Sequence, residues 1–276
     1  MVIATVLALG SAGLHAWWNL IAKTSSDRDT ALWAQWLTGA VVALPILLLV
    51  GLPDRAAWPF LAVSCLLQLA YVTGLAQAYH HGDFSFAYPL ARGSGALLAA
   101  LGGVVVLGDT LHPVAWLGVA VVAGGLGSLA GRGAGRTSLA WAMITGAIIG
   151  VYSLVDAAGA RHAGSGIAYG LSLQVLAAVT VSASGVARGR TPKLVALLRA
   201  EFWRYVLAGV LVTAAYTMVL VAFRRAPVGY VSILRESSVI LGALMGWIVL
   251  REHLGRRRLV CSAVVAVGLA VLVVGG

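Results

Sequence analysis

Apolar stretches of about 20 residues recur from one end of this chain to the other, broken only by short clusters of glycine, proline and charge. A run of that length crosses the hydrocarbon core as an α-helix, because backbone in lipid must satisfy its own hydrogen bonds. Ten such runs are readable, at roughly 3–22, 31–51, 57–79, 84–107, 111–131, 138–159, 166–186, 204–222, 228–250 and 257–275. The expected fold is therefore an all-α polytopic membrane protein. Composition agrees: 61% of residues are hydrophobic and 10% charged, where a soluble domain carries about 25% charged residues.

The net charge of +10 does not point to nucleic acid, since the Lys and Arg sit mainly in loops, where they set orientation and meet anionic headgroups. Cys65 and Cys261 both fall inside apolar runs and read as reduced fillers, with no disulfide framework or metal site. The first run lacks a basic leader and a processing site, so it reads as a spanning helix. The longest connection, residues 187–204, could form a short amphipathic helix on the membrane surface. Trp33, Trp36, Trp58, Trp116, Trp141 and Trp203 fall near run ends, as interfacial aromatics do.

The two halves resemble each other. Displaced by 143 positions, Arg92 falls on Arg235, Ser94 on Ser237, Gly103 on Gly246 and Gly125 on Gly268, with Asp109 matching Glu252 in charge. Residues 1–131 and 132–276 thus read as two five-helix repeats. An odd number of spans per copy inverts the second copy, the plan of many secondary transporters, with the site near the midplane. Arg92 and Arg235 each lie roughly 10–12 Å along their helices, so both guanidiniums are expected near the middle of the bilayer.

Ionisable groups at that depth are costly and mark functional sites. Arg235 and Glu236 stand side by side in the ninth run, with Ser232 one turn before them. Tyr88 and Arg92 share a face of the fourth, interrupted by Pro89. His15, Asn19 and Lys23 share a face of the first, beside Trp18, and Tyr152 and Asp156 share a face of the sixth. Tyr71, Tyr79 and Tyr216 are span aromatics that could line a cavity or simply pack. Arg92 could equally form a structural ion pair with Glu236 or Asp156, and Asp156 could be an interfacial acid. Asp109 and Glu252, at helix C-terminal ends, need a basic partner such as Arg251 or another loop, and read as structural or gating. Gly242 and Gly246 read as a helix-packing pair. No Walker A, HExxH, EF-hand or CxxC motif occurs.

The stretches LHAWWNLIAK at 14–23, AYHHGDFSFAYPLARGS at 78–94, YSLVDAAGAR at 152–161 and ILRESSV at 233–239, set in the ten-span plan, resemble the EamA-type branch of the drug/metabolite transporter superfamily. They look like one subgroup of permeases, some of whose relatives are associated with phosphonate utilisation. The resemblance implies a proton-linked or gradient-driven carrier of small metabolites, usually an exporter, in the bacterial plasma membrane. It also implies termini inside, whereas the Lys and Arg of the odd-numbered loops, Lys23 to Arg258, outnumber those of the even loops and would place the termini outside. Either way both termini share one side.

The expected function is alternating-access transport across the plasma membrane, in the direction of export, of a small organic anion or zwitterion such as an amino acid, a phosphonate or a related metabolite. Arg92 and Arg235 would hold a carboxylate or phosphonate. Glu236 or Asp156 would take an amine or a coupling proton. Tyr88, Tyr152, Trp18, His15 and Asn19 would line the site. The rivals are a cationic multidrug carrier using Glu236, a membrane-embedded lipid-headgroup enzyme built on His15, Asp156 and the arginines, and a non-transporting scaffold. The partners expected are a small-molecule substrate, a proton and membrane lipids, with room for a homodimer. No cofactor, metal, nucleic acid or enzymatic activity is expected.

Overall fold

The computed structural model describes residues 1–25, 27–81, 84–129, 135–248 and 256–275, apart from the side chains at 23, 76, 79–80, 84–89, 129, 242–243, 246–247 and 256–259. Among the described residues all regular structure is helical: α1 (Val2–Lys23), α2 (Arg28–Val50), α3 (Trp58–His81), α4 (Phe84–Leu107), α5 (Pro113–Leu129), α6 (Arg136–His162), α7 (Gly166–Ala187), α8 (Thr191–Phe223), α9 (Val228–Leu234), α10 (Ser237–Ile248) and α11 (Arg256–Val274). Six segments are long and apolar enough to cross a bilayer: Arg28–Val50, Arg55–Leu75, Leu90–Leu107, Arg136–His162, Gly166–Ala187 and Thr191–Phe223. Pro113–Ser128 and Val260–Val274 are shorter apolar helices. This is an all-helical, multi-pass membrane protein.

The helices fall on the apolar runs, with two differences. The ninth run, expected as one helix, is two, parted at Arg235 and Glu236. The basic stretch before the eighth run is helical from Thr191 and continues into the run itself, with a kink where Glu201 leaves helical geometry (φ −137°, ψ 42°). Local chemistry sets other boundaries. Asp27 caps α2 by accepting from the Thr30 N–H at 3.1 Å, and Ser165 caps α7 by accepting from Ala168 at 3.2 Å. Between α6 and α7, Gly164 takes a left-handed φ of 66°.

The heaviest packing runs between the first five helices and the rest. α4 and α3 lie on α6, α1 on α8 and α10, α2 on α7 and α8, and α5 on α11. Small residues allow the approach. A Cβ on Gly95 of α4 would stand 2.6 Å from the Ile149 side chain, and one on Gly150 of α6 would stand 2.7 Å from the Leu98 Cβ.

Contacts between connections sort into two ends. At one, Asp27 and Asp29 before and at the start of α2 pair with Arg190 and Lys193 between α7 and α8. At the other, the Asp54 N–H reaches the Ala163 carbonyl, and Asp109 pairs with Arg161. A cavity of about 540 Å³ at that second end is lined by Met1 and Gly275 together with Thr110, His112 and Pro227. Both termini therefore lie at one end of the bundle.

Candidate functional site

The central polar cluster starts from the break between α9 and α10. The Arg235 N–H still reaches the Val231 carbonyl, at 3.1 Å, in the helical i−4 manner. The next bonds tighten to i−3: Glu236 to Ile233, Ser238 to Arg235 and Val239 to Glu236, each 3.0 Å. No glycine or proline lies in Ile233–Val239 to impose this turn. It is buried, with Arg235 7% and Glu236 2% exposed, which is where irregular backbone is tolerated at membrane depth.

The two charged side chains of the turn diverge. Glu236 takes Arg92 of α4 in a forked pair, Nη2 to Oε1 at 2.7 Å and Nε to Oε2 at 3.3 Å. Both partners are almost wholly buried. Arg92 is thus paired with an acid, the Glu236 ion pair that the sequence left open for it. The cause is geometric, since a carboxylate's two oxygens match two guanidinium N–H groups. Glu236 is likewise held by this pair and is not an open acid.

Arg235 turns the other way. Its Cζ lies 5.5 Å from the centre of the Tyr216 ring of α8, and among the described residues no carboxylate pairs with it. The Tyr216 hydroxyl donates to Asp156 Oδ2. Tyr169 of α7 donates to Asp156 Oδ1 at 3.0 Å. Asp156 is fully buried. Tyr152 of α6 packs edge-on against Tyr216 at 6.3 Å and against Tyr71 of α3 at 5.7 Å. Five helices thus converge on a line of groups, Arg235, Tyr216, Asp156 and Tyr169, walled by Tyr152 and Tyr71.

From α1, His15 lies within electrostatic range of Arg92 and Arg235. Its ring meets Trp18 edge-on at 4.7 Å. Asn19 spends its amide on the His15 carbonyl at 2.9 Å, while the Trp18 indole N–H is buried without a hydrogen bond among the described residues. The side chains of Tyr88, Tyr79 and Lys23 and the surroundings of Gly242 and Gly246 are not described, and Arg251 and Glu252 lie outside the described residues. Tyr169 carried no sequence signal, and Tyr216 looked like one of several span aromatics. The usable clue was the buried acid itself, which needs donors, and the chain has only eight tyrosines.

A second polar cluster sits at the terminal end of the bundle. Arg161 Nη1 meets Asp109 Oδ1 at 2.8 Å, and Asp109 Oδ2 accepts from the Val228 N–H at 2.7 Å. Arg161 Nε also donates to the Phe223 carbonyl at 2.9 Å. Among the described residues the basic partner of Asp109 is therefore Arg161. Among the described residues no group of His, Cys, Asp and Glu could hold a metal.

No curated protein matches the chain. Of solved structures, 28 chains are similar to it. One covers 98% of this chain and 96% of its own length at a TM-score of 0.78 and 16% identity, a likeness of fold alone. A model of the EamA-like transporter family matches residues 136–274.

Proposed function

This chain belongs to the EamA-like transporter family, and from that membership, which makes it a membrane transporter of small molecules, we propose that it carries a small organic anion bound at Arg235. The observation that carries this reading is the charge pattern of the cluster. Among the described residues two arginines and two acids converge, and of the arginines only Arg92 is closed by a forked contact. Arg235 offers a buried guanidinium backed by an aromatic face, the arrangement that takes a carboxylate or phosphonate. Tyr152, Trp18, His15, Asn19 and Tyr88 would shape the walls. The forked grip of Arg92 on Glu236 weighs against a cation carrier centred on that acid, because a drug cation would have to displace a guanidinium.

The reading includes ten crossings in two inverted five-helix repeats, with α9 and α10 as one broken crossing, in a bacterial plasma membrane. Support comes from the packing. Exchanging α1, α2, α3, α4 and α5 for α6, α7, α8, α9–α10 and α11 turns the α3–α6 contact into α1–α8 and α4–α6 into α1–α10, and returns α2–α7 and α5–α11 to themselves. Broken helices at the repeat interface are a feature of such carriers, which work by alternating access.

The test is uptake and counterflow by the full chain in proteoliposomes, over amino acids, methylphosphonate and sugar phosphates. Arg235→Ala is expected to weaken the transported anion roughly 10- to 150-fold, the worth of about 1.5–3 kcal/mol for hydrogen bonds to a charge, with Arg235→Lys in between. Unchanged affinity in Arg235→Ala would remove Arg235 from the site.

A further inference from the structure

Among the described residues the charges of the central cluster count to zero without substrate. Arg92 and Glu236 cancel in direct contact, and Arg235 and Asp156 cancel across the Tyr216 ring. Carrying an unbalanced charge through the low-dielectric centre of a membrane is costly. A monoanion arriving at Arg235 adds one negative charge, and the cluster returns to zero only if a proton joins it.

We infer that a monoanion at Arg235 and a proton at Asp156 are carried together, one for one and with no net charge. This rests on the reading of Arg235 as the anion site. Asp156 is the acceptor by elimination among its neighbours. Cys65 faces it from α3, Tyr169 from α7, Tyr216 from α8, and Tyr152 shares its helix. Among the described residues His15 from α1 lies within electrostatic range of Arg92 and Arg235, and Glu236 stands next to Arg235 in the turn. Among the described residues the one other acid here is Glu236, and Arg92 grips it by two nitrogens.

The hydrogen bonds give the route and the sign. The Tyr216 hydroxyl is bonded to Asp156 and its ring centre lies 5.5 Å from the Arg235 Cζ, so this one side chain links the acid to the anion site. With Asp156 ionised, the Tyr216 O–H is committed to Oδ2. A proton passed from hydronium through the Tyr216 hydroxyl to Oδ2 leaves a neutral carboxyl. Its new O–H can donate to the phenol oxygen while Tyr169 keeps donating to Oδ1. The Tyr216 O–H is then free to donate to the anion at Arg235, and the competing negative charge is gone. Proton and anion therefore strengthen each other, reciprocally, by a factor on the order of ten. An inward proton gradient would drive uptake, opposite to the export that the family resemblance implies. A zwitterion would need no proton, so the substrate class is a monoanion.

Proteoliposomes of the full chain with pyranine inside test this, using methylphosphonate near pH 6 and methanesulfonate, which does not titrate, under valinomycin-clamped potentials. Anion entry is expected to acidify the lumen at a rate indifferent to potential. Asp156→Asn is expected to abolish the acidification and make the remaining anion flux follow the potential. Tyr216→Phe, which keeps the ring and the acid, is expected to slow proton entry. Lumen alkalinisation, wild-type flux that follows potential, or persisting acidification in Asp156→Asn each overturn the inference while leaving Arg235 as the anion site. If neither probe binds or moves in a manner sensitive to Arg235→Ala, the anion reading itself falls. The wild-type measurements decide the matter even if a variant does not fold.

Discussion

A carboxylate gripped by two nitrogens of one guanidinium, as Glu236 is by Arg92, is strongly bound and hard to replace one partner at a time. Removing either side chain leaves a full charge in the dry centre of the bundle, which costs about 3–5 kcal/mol, whereas removing both leaves no orphan charge. Arg92→Met and Glu236→Gln should each lower the unfolding midpoint in detergent substantially, and the double variant Arg92→Met with Glu236→Met should recover most of the loss. A double variant no more stable than the worse single one would mean that the pair is not coupled as the 2.7 Å contact indicates. Arg235 differs in kind. Its positive charge lacks a forked partner among the described residues and rests on the Tyr216 ring, so replacing it should cost the bundle little and the ligand much. Sequence already distinguished Arg92, Arg235, Glu236 and Asp156 as ionisable groups at depth. Their pairing was not legible, because it depends on where α4, α6 and α8 cross the α9–α10 turn.

At the scale of elements, that turn is the feature sequence could not give. The residues Ile233–Val239 contain neither proline nor glycine, and an apolar run without either reads as one helix. The break follows from tertiary demands, since Glu236 must reach α4 while Arg235 must reach α8. Its position is held from outside by the α9 N-terminus, where Asp109 accepts from the Val228 N–H at 2.7 Å and holds Arg161 at 2.8 Å. Sequence marked Asp109 as an acid needing a basic partner, but the partner lies in the end of α6, 52 positions away. Loss of the cap costs about 1 kcal/mol, and the Arg161 pair adds at most about as much because the arginine is partly solvated. Asp109→Ala should therefore lower stability by about 1–2 kcal/mol. Asp109→Asn, which can still accept from Val228, should recover the cap part. Equal losses in the two variants would assign the effect to the charge alone.

For the whole molecule, the apolar runs gave nearly every helix, because length and hydropathy are what lipid demands of a span. The proposed repeat rests in the sequence on Arg92 and Arg235 at one offset, whereas the manner in which the helices interlock was not legible there. The connections between helices carry the topology. Asp27 and Asp29 meet Arg190 and Lys193, joining the first and seventh connections. Asp54 meets Ala163, and Arg224 reaches the Ala160 carbonyl at 2.5 Å, joining the second, sixth and eighth. Like-numbered parity at each end is what ten crossings require, with α9 and α10 counted as one. The basic residues gather in the odd connections, and on that ground we propose that this end faces the cytoplasm; the termini lie at the other end beside Pro227 and His112. Two exposed positions, Arg188 and Arg225, lie on consecutive connections and so on opposite faces. With Cys65 and Cys261 replaced by serine, a membrane-impermeant maleimide added to intact cells should label Arg225→Cys and spare Arg188→Cys until the membrane is opened. Labelling of both from outside would break the alternation, whereas the reverse pattern would keep ten crossings and turn the molecule over, with its termini in the cytoplasm.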